Sequence, residues 1–503
     1  MPNPLFDALF APLATRATPL FILQDGVQIT GAEFATIIGQ TANALRSIGV
    51  RPGDRVAAQV SKSPQALALY AAATGIGAIF LPLNPAYTAD ELDYFLGNAT
   101  PGVFVCDPAR APALATLAQR HGAHLLTLDG AGQGSLPDLM RGRPEAFAPT
   151  HRATDDLAAI LYTSGTTGRS KGAMLTQGNL LSNARTLARL WRFTDQDTLL
   201  HALPIFHTHG LFVASNTALL TGAAMIFLPG FEVDTVLRLL PQATVMMGVP
   251  TFYTRLLDAP GLSLAAGHMR LFISGSAPLL AETHAAFEKA TGHRILERYG
   301  MTETNMNTSN PYDGDRRAGT VGLPLPDVAL RLMADGAPVA AGGVGMIEVR
   351  GPNVFAGYWQ MPEKTAEELT PEGWFLTGDL ATQSPDGYVT IVGRAKDLII
   401  TGGYNVYPKE IELLLDAVPG VRESAVIGLP HPDFGEAVFA VLTPRKDMTL
   451  NPDAVLAAIS DRLARYKQPK AAVVLADLPR NTMGKVQKNL LRSQYAGWFL
   501  PKG

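Results

Sequence analysis

Residues 161–172 read LYTSGTTGRSKG, a loop rich in glycine and hydroxyl side chains that follows an apolar run. Such a loop can hold a phosphate through backbone N–H groups, through its hydroxyls and through Lys171. A P-loop would require serine or threonine directly after the lysine, at the start of a helix. Gly172 follows the lysine here and residues 173–175 are apolar, so we expect the loop to join two strands. A flexible hairpin that binds nothing is the alternative.

On both sides of this loop, from about residue 25 to residue 350, short strand-like runs alternate with segments of helical period. This alternation is typical of layered α/β architecture. The predicted strands include residues 56–60, 102–106, 157–162, 225–228 and 271–274.

Near residue 390 the pattern changes, because a hairpin turn at Asp386 and Gly387 precedes a strand over 388–394. A helix opening at Pro408, strands over 424–428 and 437–443 and a helix over 452–465 follow. We therefore predict an α/β protein with a large N-terminal domain of layered α/β subdomains (1–394), a hinge (395–397) and a small mobile α+β domain (398–503).

Composition excludes several partners. Charged residues make up 17% of the chain and the net charge is −3, so no basic field is available for nucleic acid or for an anionic membrane. The most apolar stretch, 66–83, contains glycines and a proline, which favours a buried helix and strand over a membrane span. The single cysteine, Cys106, lies in an apolar run and is predicted to be a core residue. With no signal or transit pattern before Arg16, we expect a cytoplasmic protein.

The loop at 161–172 closely resembles the signature of the adenylate-forming superfamily, which includes acyl-coenzyme A synthetases, peptide-synthetase adenylation domains and luciferases. Four further segments resemble motifs of this family in the same order: YGMTE at 299–303, TGD at 377–379, GRAKD at 393–397 and the Gly484–Lys485 segment within 479–488. The resemblance covers nearly the whole chain. It implies a ligase that uses ATP, Mg²⁺ and coenzyme A and that forms an acyl-adenylate intermediate.

The resemblance also implies roles for individual residues. Thr163 and Lys171 would hold the β- and γ-phosphates, and Glu303 and Thr163 would hold Mg²⁺. Asp379 would accept both ribose hydroxyls, and Lys485 would stabilise the charge that grows in the first step. The other implied nucleotide contacts are Ser164, Gly165, Thr166, Thr167, Gly168, Gly275, Ser276, Ala277, Glu297, Arg298, Tyr299, Gly300, Thr302 and Arg394. Taken singly, Glu303 could be a helix cap, Asp379 a turn residue and Lys485 a solvated cation.

A second set of roles concerns the thiol-transfer step. Family members rotate the small domain after adenylation, here most simply about Lys396. Gly402, Gly403 and Tyr404 would then face the pantetheine arm, with Arg465, Tyr466 and Lys467 near the nucleotide of coenzyme A. The family further suggests acetylation of Lys485, which would remove its charge and would involve a lysine acetyltransferase and deacetylase as partners.

Two arginines point to the acid that is activated. Arg298 directly precedes the YGMTE motif, where fatty-acyl and aryl relatives commonly have a small residue, and Arg255 follows the segment 250–254. A buried arginine without a partner is costly, so a pocket arginine implies an anionic substrate group. We therefore expect a short dicarboxylate, malonate, with methylmalonate as a further substrate.

The segments around Arg298 and His209 resemble those of malonyl-coenzyme A synthetases. His209 is a candidate catalytic donor, and His207 and Met301 are candidate substrate contacts. Two histidines at this spacing do not form a metal site without further ligands. In the alternative, Arg298 pairs with Glu297 or Glu303 at the surface and Arg255 caps a helix. The protein would then be another short-chain or aryl acyl-coenzyme A synthetase, or a non-catalytic nucleotide-binding homologue.

Overall fold

The structure, a computed structural model, describes residues 2–163, 170–340, 342–481 and 484–500. The chain divides into two compact units. The first consists of Met1–Ala329 with Val349–Phe375, and the second of Leu330–Glu348 with Leu376–Gly503. The predicted hinge lies inside the second unit as a short 3-10 helix, Ala395–Asp397, so a domain boundary at these residues stays a prediction.

The first unit contains a six-stranded sheet. In spatial order its strands are His124–Thr127, Val103–Cys106, Arg55–Gln59, Ile79–Pro82, Leu157–Thr163 and Lys171–Thr176. The first five run parallel, and the last pairs antiparallel with its neighbour. The loop at 161–172 therefore joins two antiparallel strands, as predicted, and the next helix begins at Gln177. Cys106 is buried in this sheet, which confirms its prediction as a core residue.

A nine-stranded sheet forms the other layer of the first unit. Its order is Leu323–Pro324, Asn305–Ser309, Leu296–Met301, Leu271–Ser274, Val245–Gly248, Thr198–His201, Ala224–Phe227, Pro19–Ile22 and Gln28–Thr30. The six strands from Leu296–Met301 to Pro19–Ile22 are parallel. Parallel strands bring their carboxyl ends to one edge, where α/β sheets bind ligands.

Helices cover the strands of the first unit. The longer ones are Gly31–Ser47, Pro64–Gly75, Ala89–Ala99, Ala111–Arg120, Gln177–Leu190, Pro250–Leu257 and Ala281–Thr291; the shorter ones are Pro4–Leu9, Ser135–Met140, Asn216–Thr221, Val233–Leu239, Leu262–Ala265 and Pro362–Glu368. A π-helix, His209–Ser215, also belongs to this unit. The apolar stretch at 66–83 is the buried helix Pro64–Gly75 followed by a strand, as predicted. Within the described residues, no helix combines the length and apolarity needed to cross a bilayer.

The second unit holds two further sheets. One has the order Ala337–Pro338, Ala329–Ala334, Gly345–Arg350, Phe375–Gln383 and Val389–Arg394. The other has the order Tyr404–Val406, Ile399–Thr401, Gly435–Pro444 and Val421–His431, with Ala471–Val474 parallel to Gly435–Pro444. Its helices are Pro408–Asp416, Pro452–Ile459 and Lys488–Tyr495. The predicted helix over 452–465 is shorter, because the chain tightens into a 3-10 turn at Ser460–Arg462.

Candidate active site

The glycine-rich loop at 161–172 connects the two strands of a hairpin in the six-stranded sheet. Thr163 and Lys171 are register partners at the end of that hairpin, and the Thr163 hydroxyl lies 3.5 Å from the Lys171 carbonyl oxygen. The predicted phosphate contacts Ser164, Gly165, Thr166, Thr167 and Gly168 lie outside the described residues. The described ends of the loop thus place a lysine and a hydroxyl side by side.

Lys171 belongs to a cluster with Glu303, Tyr358 and Glu368, which we term the lysine–glutamate cluster. The Lys171 ammonium lies 3.0 and 3.1 Å from the two carboxylate oxygens of Glu368 and 4.1 Å from the centre of the Tyr358 ring. The Tyr358 hydroxyl lies 3.0 Å from Oε1 of Glu303 and 2.5 Å from Oε2 of Glu368. Two residues without a predicted role therefore connect the predicted phosphate lysine to the predicted Mg²⁺ ligand.

Glu303 is a buried carboxyl group whose surroundings suit a cation. Burial raises its pKa, and hydrogen bonding, including that from Tyr358, together with the charge of Lys171 opposes the rise. No group of three or more histidine, cysteine, aspartate or glutamate residues within the described ranges could hold a metal. Magnesium in nucleotide sites commonly uses one or two carboxylates, with phosphate oxygens and water completing the octahedron. A single buried glutamate fits that mode.

The predicted adenine frame lies at the carboxyl edge of the nine-stranded sheet. Gly275, Ser276 and Ala277 follow the strand Leu271–Ser274, and Glu297 to Gly300 lie on the neighbouring strand. A Cβ atom at Gly275 would lie 2.3 Å from Cζ of Arg298, so only glycine lets the guanidinium pack there. Ser276 has φ +72°, a left-handed conformation uncommon for a serine.

Arg298 is the buried cation of this edge. Its side chain is among the buried ones, with 3% of the residue exposed, so it does not form a surface ion pair. Its Nε and Nη2 atoms have no hydrogen-bond partner in the described part of the chain. Burial lowers the pKa of the guanidinium, and interactions with Tyr253 and Glu297 offset part of that effect. Such a group requires an anion to compensate its desolvation.

His209 lies beside Arg298, at the start of the π-helix. Its Nδ1 atom is 3.1 Å from Oγ of Ser276, and its buried Nε2 atom has no partner within the described ranges. Burial and the charge of Arg298 hold the pKa of His209 well below its ordinary value, so the imidazole is neutral near pH 7. Because Ser276 follows Gly275, the histidine and the guanidinium contact consecutive residues of one loop. We term Arg298 and His209 the arginine–histidine pocket.

Arg255 is placed differently from our expectation. It lies in the last turn of the helix Pro250–Leu257 and is exposed, because that position falls on the outer face of the helix. The burial argument therefore applies to Arg298 and not to Arg255. The remaining predicted substrate contacts, His207 and Met301, are half-buried, as is the predicted nucleotide contact Thr302.

Predicted ATP-binding residues also occur in the second unit. Nε of Arg394 lies 2.9 Å from Oδ1 of Asp379, and the two residues are register partners in a sheet. The carboxylate of Asp379 is nearly fully buried, and its backbone N–H donates to Oγ1 of Thr377 at 3.1 Å. The arginine therefore fixes the carboxylate that is predicted to bind ribose.

Lys485 lies in a short turn that hydrogen bonds hold in place. Its N–H donates to Oδ1 of Asn481 at 3.0 Å, and its carbonyl accepts from the Asn481 N–H at 2.9 Å. Arg480 donates to the Gly484 carbonyl at 2.7 Å and forms an ion pair with Glu423. Gly484 has φ +75°, which explains the glycine.

The predicted coenzyme A contacts surround a tight hairpin. Gly402 and Gly403 have φ +56° and +81° and connect the strands Ile399–Thr401 and Tyr404–Val406. Tyr404 stacks on Tyr466 with ring centres 4.8 Å apart. Lys467 forms an ion pair with Glu410 at 2.7 Å, and Arg465 is exposed.

Comparisons with known proteins identify the family of the chain. The profile of the AMP-binding enzyme family matches residues 13–359, and that of the AMP-binding enzyme C-terminal domain matches residues 410–485. The chain belongs to the AMP-binding enzyme family, and its α/β fold with a large N-terminal and a small C-terminal domain is the adenylate-forming fold.

Individual relatives are similar over almost the entire chain. A malonate–CoA ligase of Arabidopsis thaliana is 34% identical over 95% of this chain and 83% of its own length. A feruloyl-CoA synthase of an Amycolatopsis species is 36% identical over 98% of both chains. The crystal structure of ATP-bound MatB from Rhodopseudomonas palustris is 56% identical, with a TM-score of 0.97 over 99% of this chain and 100% of that one.

Proposed function

We propose that this protein ligates malonate to coenzyme A at the expense of ATP. In the first step a malonate carboxylate oxygen attacks the α-phosphorus of ATP, and pyrophosphate leaves. In the second step the thiol of coenzyme A attacks the acyl carbon and loses its proton, and AMP leaves. Membership of the AMP-binding family and the relatives named malonate–CoA ligase support this reaction.

The single observation that carries the choice of acid is the burial of Arg298 with its Nε and Nη2 atoms unpartnered among the described residues. The distal carboxylate of malonate would accept hydrogen bonds from the guanidinium and from His209 and would supply the missing negative charge. A monocarboxylate would leave the Nε and Nη2 atoms of Arg298 buried without an acceptor among the described residues. Methylmalonate differs by one methyl group, which changes discrimination by only about 1–3 kcal/mol, so we propose it as a second substrate.

Among the two curated relatives described above, the degree of identity does not choose the acid, because the Amycolatopsis feruloyl-CoA synthase is 36% identical and the plant malonate–CoA ligase 34%. An aryl acid carries no second anion for Arg298. The arginine–histidine pocket therefore favours malonate over the alternative of an aryl or another short-chain acid.

For the nucleotide we propose that Lys171 binds the β- and γ-phosphates and that Asp379, fixed by Arg394, binds the ribose. Glu303 and the Thr163 hydroxyl would hold Mg²⁺, which neutralises the phosphates and makes pyrophosphate a better leaving group. Tyr358 already fixes Glu303 by a hydrogen bond, whereas Lys171 would exchange its contact with Glu368 for the polyphosphate.

For catalysis we propose that Lys485 stabilises the charge that develops during adenylation, since its turn is already fixed by Asn481 and Arg480. Rotation about Lys396 and approach of the pantetheine arm along Gly402 and Gly403 would follow. We also propose a cytoplasmic location and control by acetylation of Lys485, which would remove its positive charge.

ATP–pyrophosphate exchange tests the proposal directly. We expect exchange with malonate and methylmalonate to exceed exchange with acetate and with a medium-chain acid. Equal or faster exchange with acetate would overturn the choice of acid, and faster exchange with an aryl acid would favour the alternative. Lys485→Ala should abolish exchange while ATP binding persists, whereas the exposed Lys446→Ala should retain exchange. A wild-type protein that binds ATP without exchanging any acid would be a non-catalytic homologue.

A further inference from the structure

Both carboxylate oxygens of Glu368 lie within hydrogen-bond distance of Lys171, the side chain that we propose binds phosphate. The carboxylate lies 3.0 and 3.1 Å from the ammonium, and the ring of Tyr358 covers another side of it at 4.1 Å. The side chains are only 17% and 23% exposed, so water replaces these contacts poorly. An ammonium group has three N–H donors, and those that point to Glu368 cannot point to a phosphate.

We propose that Glu368 competes with the phosphates of ATP and pyrophosphate for Lys171, and that this competition weakens nucleotide binding and speeds the release of pyrophosphate. The inference rests on the proposed phosphate-binding role of Lys171. When phosphate binds, Lys171 exchanges one anion for another, and when pyrophosphate leaves, the carboxylate takes the lysine back.

The surroundings of Glu368 make this exchange feasible. Lys364, one helical turn earlier, also lies 3.0 Å from Oε1 of Glu368, and the Tyr358 hydroxyl lies 2.5 Å from Oε2. Glu368 therefore keeps a cation and a hydrogen-bond donor after Lys171 has turned to the phosphate. A carboxylate without these partners would become a partly buried unpaired charge, and releasing the lysine would be costly.

Tyr358 connects the exchange to Glu303. A hydroxyl carries one proton, so Tyr358 can donate to only one of the two carboxylates at a time. When Lys171 leaves Glu368, the hydrogen bond from the Tyr358 hydroxyl to that carboxylate becomes more favourable. Tyr358 is thus a positioning residue that responds to the state of Lys171.

The neighbouring residue of the same helix provides a matched control. Glu367 is more exposed than Glu368 and forms an ion pair with Lys364. The substitution Glu367→Gln removes the same charge from the same helix turn without touching Lys171.

Calorimetric titration with pyrophosphate and with a non-hydrolysable ATP analogue, both with Mg²⁺, tests the proposal. We expect Glu368→Gln to bind both ligands roughly two- to fivefold more tightly than the wild type, in line with the modest energy of a partly exposed ion pair. Glu367→Gln should change neither affinity, and thermal melting should show that both variants are folded. Weaker or unchanged binding by Glu368→Gln would overturn the proposal, because a merely structural role for Glu368 predicts loss of affinity.

Lys171→Met separates this inference from the proposed function. We expect it to weaken binding of both ligands and to make Glu368→Gln silent in the double variant. If Lys171→Met leaves binding unchanged, the phosphate role of Lys171 is wrong and the competition fails with it. If it weakens binding but Glu368→Gln still has its full effect in the double variant, only the competition is wrong.

Discussion

Two clusters in the first unit use their charges in opposite ways. In the lysine–glutamate cluster, Lys171 faces Glu368, and Tyr358 bridges the two carboxylates. In the arginine–histidine pocket, Arg298 has two unpaired nitrogens and His209 one, counting partners in the described ranges only. In the first cluster the positive charge of Lys171 is already paired with a carboxylate of the chain, whereas in the second two guanidinium nitrogens lack a partner among the described residues.

The difference separates the chemistry that the family shares from the choice of acid. In the proposed exchange, Lys171 leaves Glu368 for a phosphate when nucleotide binds and returns when pyrophosphate leaves. Binding can then be reversed at a low cost in free energy. Acid selection relies on a desolvated cation that only an anionic substrate group can compensate. The pocket should therefore control which acid reacts, and the lysine–glutamate cluster should affect all acids equally.

The largest effect is expected from Arg298. Replacing it with leucine removes the charge while keeping an apolar side chain in the pocket. Losing one partner of a buried charge pair costs about 2–5 kcal/mol, which corresponds to roughly 30- to 4,000-fold in kcat/KM for malonate. ATP–pyrophosphate exchange with malonate and with acetate measures this loss for each acid. A loss of the same size for both acids would show that Arg298 does not distinguish them.

A smaller and uniform effect is expected from Lys171. The substitution Lys171→Met should lower ATP affinity by roughly 10- to 150-fold, the range for a hydrogen bond to a charged group. Exchange assays at varied ATP, run with malonate and with methylmalonate, measure the effect. The variant should lose activity equally with both acids. A selective loss with one acid would show that Lys171 also contributes to the choice of acid.

His209 should affect malonate selectively and independently of pH. His209→Phe removes the Nε2 contact, and we expect kcat/KM for malonate to fall roughly 10- to 150-fold. Because burial and the charge of Arg298 hold the pKa of His209 well below its ordinary value, we expect the imidazole to stay neutral between pH 6 and pH 8. The ratio of wild-type to variant activity should therefore be the same at both pH values. A ratio that grows at pH 6 would show that the wild-type histidine becomes charged.

The smallest effect is expected from Arg255. Its side chain is exposed, and surface substitutions usually change free energies by less than about 0.5 kcal/mol. Arg255→Ala should thus retain malonate activity within about threefold in the same exchange assay. A loss comparable to that of Arg298→Leu would support the prediction from the sequence that both arginines bind the acid.

Much of the fold follows from local patterns. The strand-to-strand loop at Lys171 was predictable because glycine, not serine or threonine, follows the lysine, and the hairpin bears this out. Arg298 stood out because it directly precedes the YGMTE motif, where fatty-acyl and aryl relatives commonly have a small residue. The exposure of Arg255 could not be predicted from the sequence, because the packing of its helix decides whether a given position faces the core or the solvent.

The contacts of Tyr358 and Glu368 carried no sequence signal. They lie almost two hundred residues after Lys171 and reach it only through tertiary folding. Periodicity and motif spacing report local structure, so a partner of this kind becomes visible only in three dimensions.

The central claim is that Arg298 binds the distal carboxylate of malonate. The most direct test compares ATP–pyrophosphate exchange with malonate and with its monomethyl ester, which lacks the distal charge, in the wild type and in Arg298→Leu. We expect the wild type to prefer malonate strongly and the variant to lose most of that preference. Equal use of both acids by the wild type, or an unchanged preference in the variant, would contradict the claim.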